Sequence, residues 1–173
     1  EHVPLDARCC LIHATHMTPE ETVSLARSGA VAGLCPVTEA SLGDGIFPAR
    51  EFLDAGGRFG VGTDSNVLIG VADELRQLEY GQRLKHRERN VLSGGPGVST
   101  GRTLLDGALA RGAQSLSQPV AGLQIGARAD IVTLDTTHPS LAGRRGDAVL
   151  DGWIFAARAG VIDCVWSGGN KVV

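Results

Sequence analysis

Short apolar runs punctuate the first part of the chain, and each is followed by a polar, helix-forming stretch. Arg8–Ala14, Ala30–Pro36 and Phe59–Asp64 read as strands. They are apolar on both faces rather than alternating, the pattern of parallel strands covered on both sides. Between the first two, Thr18-Pro-Glu-Glu predicts a helix start. Thr18 caps, Pro19 suits the first helical position, and the acids favour the positive end of the helix dipole. That helix is expected to stop at Gly29. Between the second and third strands, a loop over Val37–Phe47 leads to a short helix at Pro48–Ala55. Parallel strands separated by helices build an α/β barrel or a doubly wound sheet. In either fold chemistry collects at the carboxyl ends of the strands, so His13, Cys35 and Asp64 are expected on one rim.

Beyond Asp64 the pattern changes. A long helix is expected over Val71–Arg89, then a loop over Ser93–Gly101, then a helix over Arg102–Gln114. The loop superficially resembles a phosphate-cradling glycine loop. It lacks the Gly-Lys-Ser/Thr ending and does not directly follow a strand, so it reads as a linker. Ala129–Asp135, Trp153–Ala159, Val161–Trp166 and Lys171–Val173 read as short strands of an antiparallel segment. The chain thus divides into an α/β part, 1–118, and a β part, 119–173.

Apolar residues make up 43% of the 173 positions and charged ones 20%, so the composition is neither disordered nor membranous. Apolar runs such as Val31–Val37 fall far short of the ~18–20 residues a membrane span needs. A net charge of −3 supplies no basic excess to attract nucleic acid or a membrane surface. Cys9, Cys10, Cys35 and Cys164 show no C-x-x-C spacing, and no signal peptide precedes them. They are expected to be reduced thiols in a cytoplasmic protein.

Two residues stand out chemically. A strand-end histidine such as His13 can polarise a substrate or hold an attacking water. A strand-end aspartate such as Asp64 can ligate a metal through one oxygen and take a proton through the other. Each also has a structural reading, His13 as a satisfied polar residue and Asp64 as a cap for the next helix. On the residues alone both readings stay open. Cys35 has no clear basic partner and reads as a packed or site-lining thiol. His16 is assigned to a loop or capping role, and His2, His86 and His138 to solvent. Asp44 is expected to shape a turn through Asx-type hydrogen bonds, whereas Glu39 either lines the site or shapes the loop. A catalytic zinc needs about three protein ligands, and one credible aspartate is present. A parallel barrel needs about eight strands, and three are visible. The chain is either a small three-stranded protein or the C-terminal part of something longer.

At these residues the chain resembles the amidohydrolase superfamily in its deaminase branch. Those enzymes end barrel strand 6 with a catalytic His and barrel strand 8 with a metal-binding Asp. Leu11-Ile-His13 and Gly62-Thr-Asp64 match those positions. Cys35-Pro-Val-Thr-Glu-Ala-Ser-Leu-Gly-Asp-Gly-Ile-Phe-Pro48 is similar to the branch's Asn-Pro-x-Ser-Asn-x-x-Leu-Gly-x-Gly-x-x-Pro segment. His13-Ala-Thr-His16, Asp73–Arg83, Gly126–Val132, His138–Arg144 and Gly146–Leu150 narrow the resemblance to the formimidoylglutamate deiminases.

The resemblance implies a partial (β/α)8 barrel, strands 6–8 with their helices, plus the C-terminal part of a small β-sandwich. It implies His13 and Asp64 as catalytic residues and Asp64 as a ligand of one divalent metal, usually Zn2+. The other ligands, a proton-shuttling Glu and the arginines that grip the substrate are expected upstream of Glu1. The implied reaction takes N-formimidoyl-L-glutamate to N-formyl-L-glutamate and ammonia in histidine degradation. The partner is then a small-molecule substrate, with a homodimer as the full-length enzyme and an inactive isolated chain. Two alternatives remain: a related deaminase of a purine or nucleoside, and a non-catalytic fragment without metal.

Overall fold

The structure, a computed structural model, describes residues 4–118 and 121–173. His2 and the expected boundary at residue 119 lie outside the described residues. Strands β1 (Cys10–Ile12), β2 (Val31–Leu34) and β3 (Arg58–Val61) form a parallel sheet in the order β1-β2-β3. Cys10 stands opposite Val31, and Val31 opposite Arg58. Helix α1 (Pro19–Ser28) crosses from β1 to β2, and α2 (Pro36–Leu42) with α3 (Ala49–Asp54) from β2 to β3. All three strands therefore end on the same side.

Local chemistry sets α1 as the sequence predicts. Thr18 accepts from the Glu21 N–H while the Glu21 carboxylate accepts from the Thr18 N–H, a reciprocal capping box. Gly29, at φ 81°, ends the helix in the left-handed conformation.

Helix α2 departs from the expectation of a loop over Val37–Phe47. Pro36 sits at its first turn, and Gly43 closes it at φ 74° with its N–H on the Glu39 carbonyl. The segment is too short to show helical periodicity, but its start and stop residues were both readable.

Helices α4 (Val71–His86) and α5 (Thr100–Ser115) follow. Helix α4 ends earlier than expected, at a left-handed Arg87. Helix α5 lies close on β3: a Cβ on Gly60 would meet the Gly112 backbone at 3.3 Å, and one on Gly107 the Phe59 ring at 2.8 Å. The core between sheet and helices holds Leu34, Phe52, Leu75, Leu104 and Ile154, all fully buried.

The C-terminal sheet is antiparallel, with β4 (Ile131–Leu134), β5 (Ile162–Ser167) and β6 (Asn170–Lys171) in the order β4-β5-β6. The strand expected over Trp153–Ala159 is not there. Ala148–Phe155 forms helix α6, packed on α4 and α5. Trp153, Ile154 and Ala157 are all buried, and a short run of buried apolar residues carries no period to tell strand from helix. Arg76 on α4 donates to the Ile154 and Ala157 carbonyls, which satisfies the end of α6.

Two further expectations are corrected. Strand β1 is not covered on both faces: Ile12 is 57% exposed, and among the described residues β1 pairs with β2 alone. Nor do His86 and His138 simply face solvent. The His86 side chain is 16% exposed, with Nε2 buried and 3.9 Å from Glu51 Oε1, because the last turn of α4 faces α3. His138 is half-buried, and its Nδ1 accepts from the Ser140 N–H. Among the described residues, no helix is long and apolar enough to cross a membrane.

Candidate active site

The ends of β1, β2 and β3 converge. His13 follows β1 and is tied to the sheet by its N–H on the Gly33 carbonyl. Cys35 follows β2 and Asp64 lies just past β3. One ligand atom from each of these three side chains lies within 4.8 Å of the others. His13 Nε2 is 3.6 Å from Asp64 Oδ2. The other Asp64 oxygen, Oδ1, accepts from the Ser65 hydroxyl at 3.3 Å.

The backbone here is unusual. His13, Ala14 and Asp64 have φ of 66°, 51° and 46°. A non-glycine residue in this region costs about 1–3 kcal/mol, and such residues gather at functional sites. At this turn the imidazole stands with Nε2 3.6 Å from Asp64, the residue past β3.

Glu39, which the sequence left open, is buried beneath the rim at 3% exposure. Its Oε1 accepts from the Cys35 N–H at 2.8 Å and lies 3.2 Å from His13 Nδ1. A second buried carboxylate, Glu74 on α4, accepts from the Val37 N–H at 2.9 Å and from Asn66 Nδ2 at 3.0 Å. Burial pushes the Glu74 carboxyl above its usual range, against the pull of those two hydrogen bonds. Asn66 also donates to the Thr63 carbonyl and accepts from the Leu68 N–H. Thr38 Oγ1 donates to the same Thr63 carbonyl. The loop carrying Asp64 is thereby fastened to α2. Glu74→Ala is expected to destabilise the protein by about 1–3 kcal/mol for each buried group left unpaired. Denaturant unfolding of the variant checks this, and an unchanged midpoint would remove the brace.

Cys35 is buried at 6% exposure. Burial first, then the Glu39, Asp64 and Glu74 carboxylates, push its thiol up to about 11. Its sulfur lies in the cluster with His13 and Asp64. In front of the rim lies an open cleft of about 500 Å³, lined by His13, Thr15, His16, Met17, Glu21 and Asp44. His16 lies in the turn between β1 and α1, as the loop assignment expects, and stands exposed on the cleft wall, while Thr18 caps the helix. Asp44 closes α2 through its backbone N–H on the Glu39 carbonyl. Among the described residues its carboxylate makes no Asx hydrogen bond and lines the cleft instead.

Imidazole, thiol and carboxylate are donor types that zinc accepts. The fit is clearest at Asp64, where Ser65 holds one oxygen and the other faces the rim. Burial and the surrounding carboxylates raise the Cys35 thiol, so it would have to release its proton to serve as a ligand. Asp64 suits one position of a divalent ion, with the His13 and Cys35 donor atoms within 4.8 Å of its own.

A family model described as "Amidohydrolase family" matches residues 1–172. The chain belongs to the amidohydrolase family. It is 54% identical over 173 residues to the formimidoylglutamate deiminase of Pseudomonas aeruginosa, a match covering 100% of this chain and 38% of that protein. The crystal structure of an amidohydrolase from Brucella melitensis superposes with a TM-score of 0.93 at 59% identity, covering 99% of this chain and 38% of that one. A variant of the atrazine chlorohydrolase of Arthrobacter aurescens, complexed with zinc and atraton, superposes with a TM-score of 0.79 at 25% identity. That match covers 98% of this chain and 37% of the hydrolase. The chain therefore spans well under half the length of these relatives.

Proposed function

We propose that the chain is the C-terminal portion of a metal-dependent hydrolase. It would convert N-formimidoyl-L-glutamate and water to N-formyl-L-glutamate and ammonia. The observation that carries this reading is the 54% identity to the Pseudomonas deiminase along the whole chain. The facing pair of His13 and Asp64, both on left-handed backbone, supports it. On this reading β1–β3 are strands 6–8 of a (β/α)8 barrel and β4–β6 belong to a small β-sandwich that begins near residue 118, while helix α6, packed on α4 and α5, returns to the barrel part.

Asp64 would give one oxygen to a divalent ion, zinc by analogy with the zinc-complexed chlorohydrolase. Such an ion makes water available as a nucleophile at neutral pH. Two protons then move. Asp64, or the proton-shuttling Glu expected upstream, takes the first as the water oxygen bonds to the formimidoyl carbon, and passes it to the imino nitrogen. His13 Nε2 accepts a hydrogen bond from the hydroxyl of the tetrahedral species. As the carbon–nitrogen bond breaks, the hydroxyl proton follows the nitrogen, which leaves as ammonia, and the formyl carbonyl remains. By themselves the 173 residues carry too few ligands and are expected to turn over nothing.

The test is an ammonia-release assay on the full-length protein that contains this chain, supplied with zinc. N-formimidoyl-L-glutamate is expected to yield ammonia, and guanine and adenosine none. Ammonia from either purine, with none from the formimidoyl compound, would overturn the substrate assignment.

A further inference from the structure

Glu39 has no part in the reaction steps above, yet its side chain is buried beneath the rim. An ionised carboxylate only accepts hydrogen bonds. Its Oε1 already takes the Cys35 N–H at 2.8 Å, and His13 Nδ1 lies 3.2 Å from the same atom. The hydrogen bond to the ring therefore requires a proton on Nδ1. When the ring is neutral it has one N–H, so Nε2 is left with its lone pair. Nε2 lies 3.6 Å from Asp64 Oδ2, another acceptor. In that neutral state the two acceptors leave a place for a proton donor, which an O–H or N–H of the reacting groups supplies.

We propose that Glu39 is a positioning residue for His13. It holds the imidazole proton on Nδ1 and turns the Nε2 lone pair toward Asp64 and the cleft. A single oxygen couples this to the fold, because Oε1 also receives the N–H at the start of α2. Loss of Glu39 frees the ring to flip or to carry its proton on Nε2, which would present a donor where the chemistry needs an acceptor. The catalytic consequence rests on the hydrolase reading above, whereas the tautomer does not.

The experiment uses the full-length protein with 15N-labelled histidine, the His13 signals being assigned by their loss in His13→Asn. At a pH where the ring is neutral, wild type is expected to show the Nδ1–H tautomer. Glu39→Gln keeps an oxygen for both hydrogen bonds and should retain that tautomer, the thermal midpoint and kcat within about tenfold. Glu39→Leu should populate the Nε2–H tautomer and lower kcat by a further 10–100-fold, the usual loss when a group that orients a catalytic histidine is removed. Its KM should stay within about threefold, since binding of the substrate does not run through this hydrogen bond.

An Nε2–H tautomer in wild type overturns the inference even if Glu39→Leu does not fold. So does an unchanged Nδ1–H tautomer in folded Glu39→Leu, or a kcat equal to wild type. If the wild-type protein releases no ammonia from N-formimidoyl-L-glutamate, the function fails, and the tautomer measurement still decides the role of Glu39.

Discussion

Asp64→Asn in the full-length protein is expected to lose both metal and rate. The amide keeps the size of the carboxylate and can still accept from Ser65, so the loop should hold its shape. It loses the charge that makes one oxygen a ligand for a divalent ion and a base for water. With the proton-transfer role removed, kcat should fall by about 10²–10⁴-fold. Zinc content, measured by elemental analysis after dialysis, should fall with it. A variant with full zinc and full rate would strip Asp64 of both roles.

His13→Ala is expected to separate those two losses. Its rate should drop by a similar factor of about 10²–10⁴, while zinc content stays near that of wild type. The comparison is pointed because His13, Cys35 and Asp64 sit close enough to share an ion. Zinc that leaves with the imidazole would make His13 a ligand and would refute its assignment as a group that handles the attacking oxygen. The substitution also leaves buried Glu39 without its ring partner. The thermal midpoint must accompany the kinetics, so that a fold defect is not read as a chemical one.

Strand ends were the most legible part of this protein. Doubly apolar runs, each closed by a polar residue, located β1, β2 and β3 to within a few residues and put His13, Cys35 and Asp64 on one rim. Capping chemistry located α1 at both ends, because Thr18, Pro19 and Gly29 each act locally. What escaped depends on partners distant in sequence. Glu39 stayed ambiguous because its significance lies in His13, 26 positions away. Glu74 and Asn66 went unnoticed because a carboxylate on a long charged helix looks like a solvated one until its helix is packed. Helix α6 was misread for the same reason: burial on α4 and α5 chose helix for a segment whose apolar run suits either state. Pro36 and Gly43 did announce α2, and the glycine- and polar-rich stretch around them masked the signal.

The hold that Glu74 keeps on both α2 and the Asn66 loop has a mechanical consequence. The loop that bears Asp64 and the helix that bears Glu39 are thereby tied into one body. The cleft in front of them is walled mainly by a different piece of chain, the short span between β1 and α1 that carries Thr15, His16 and Met17.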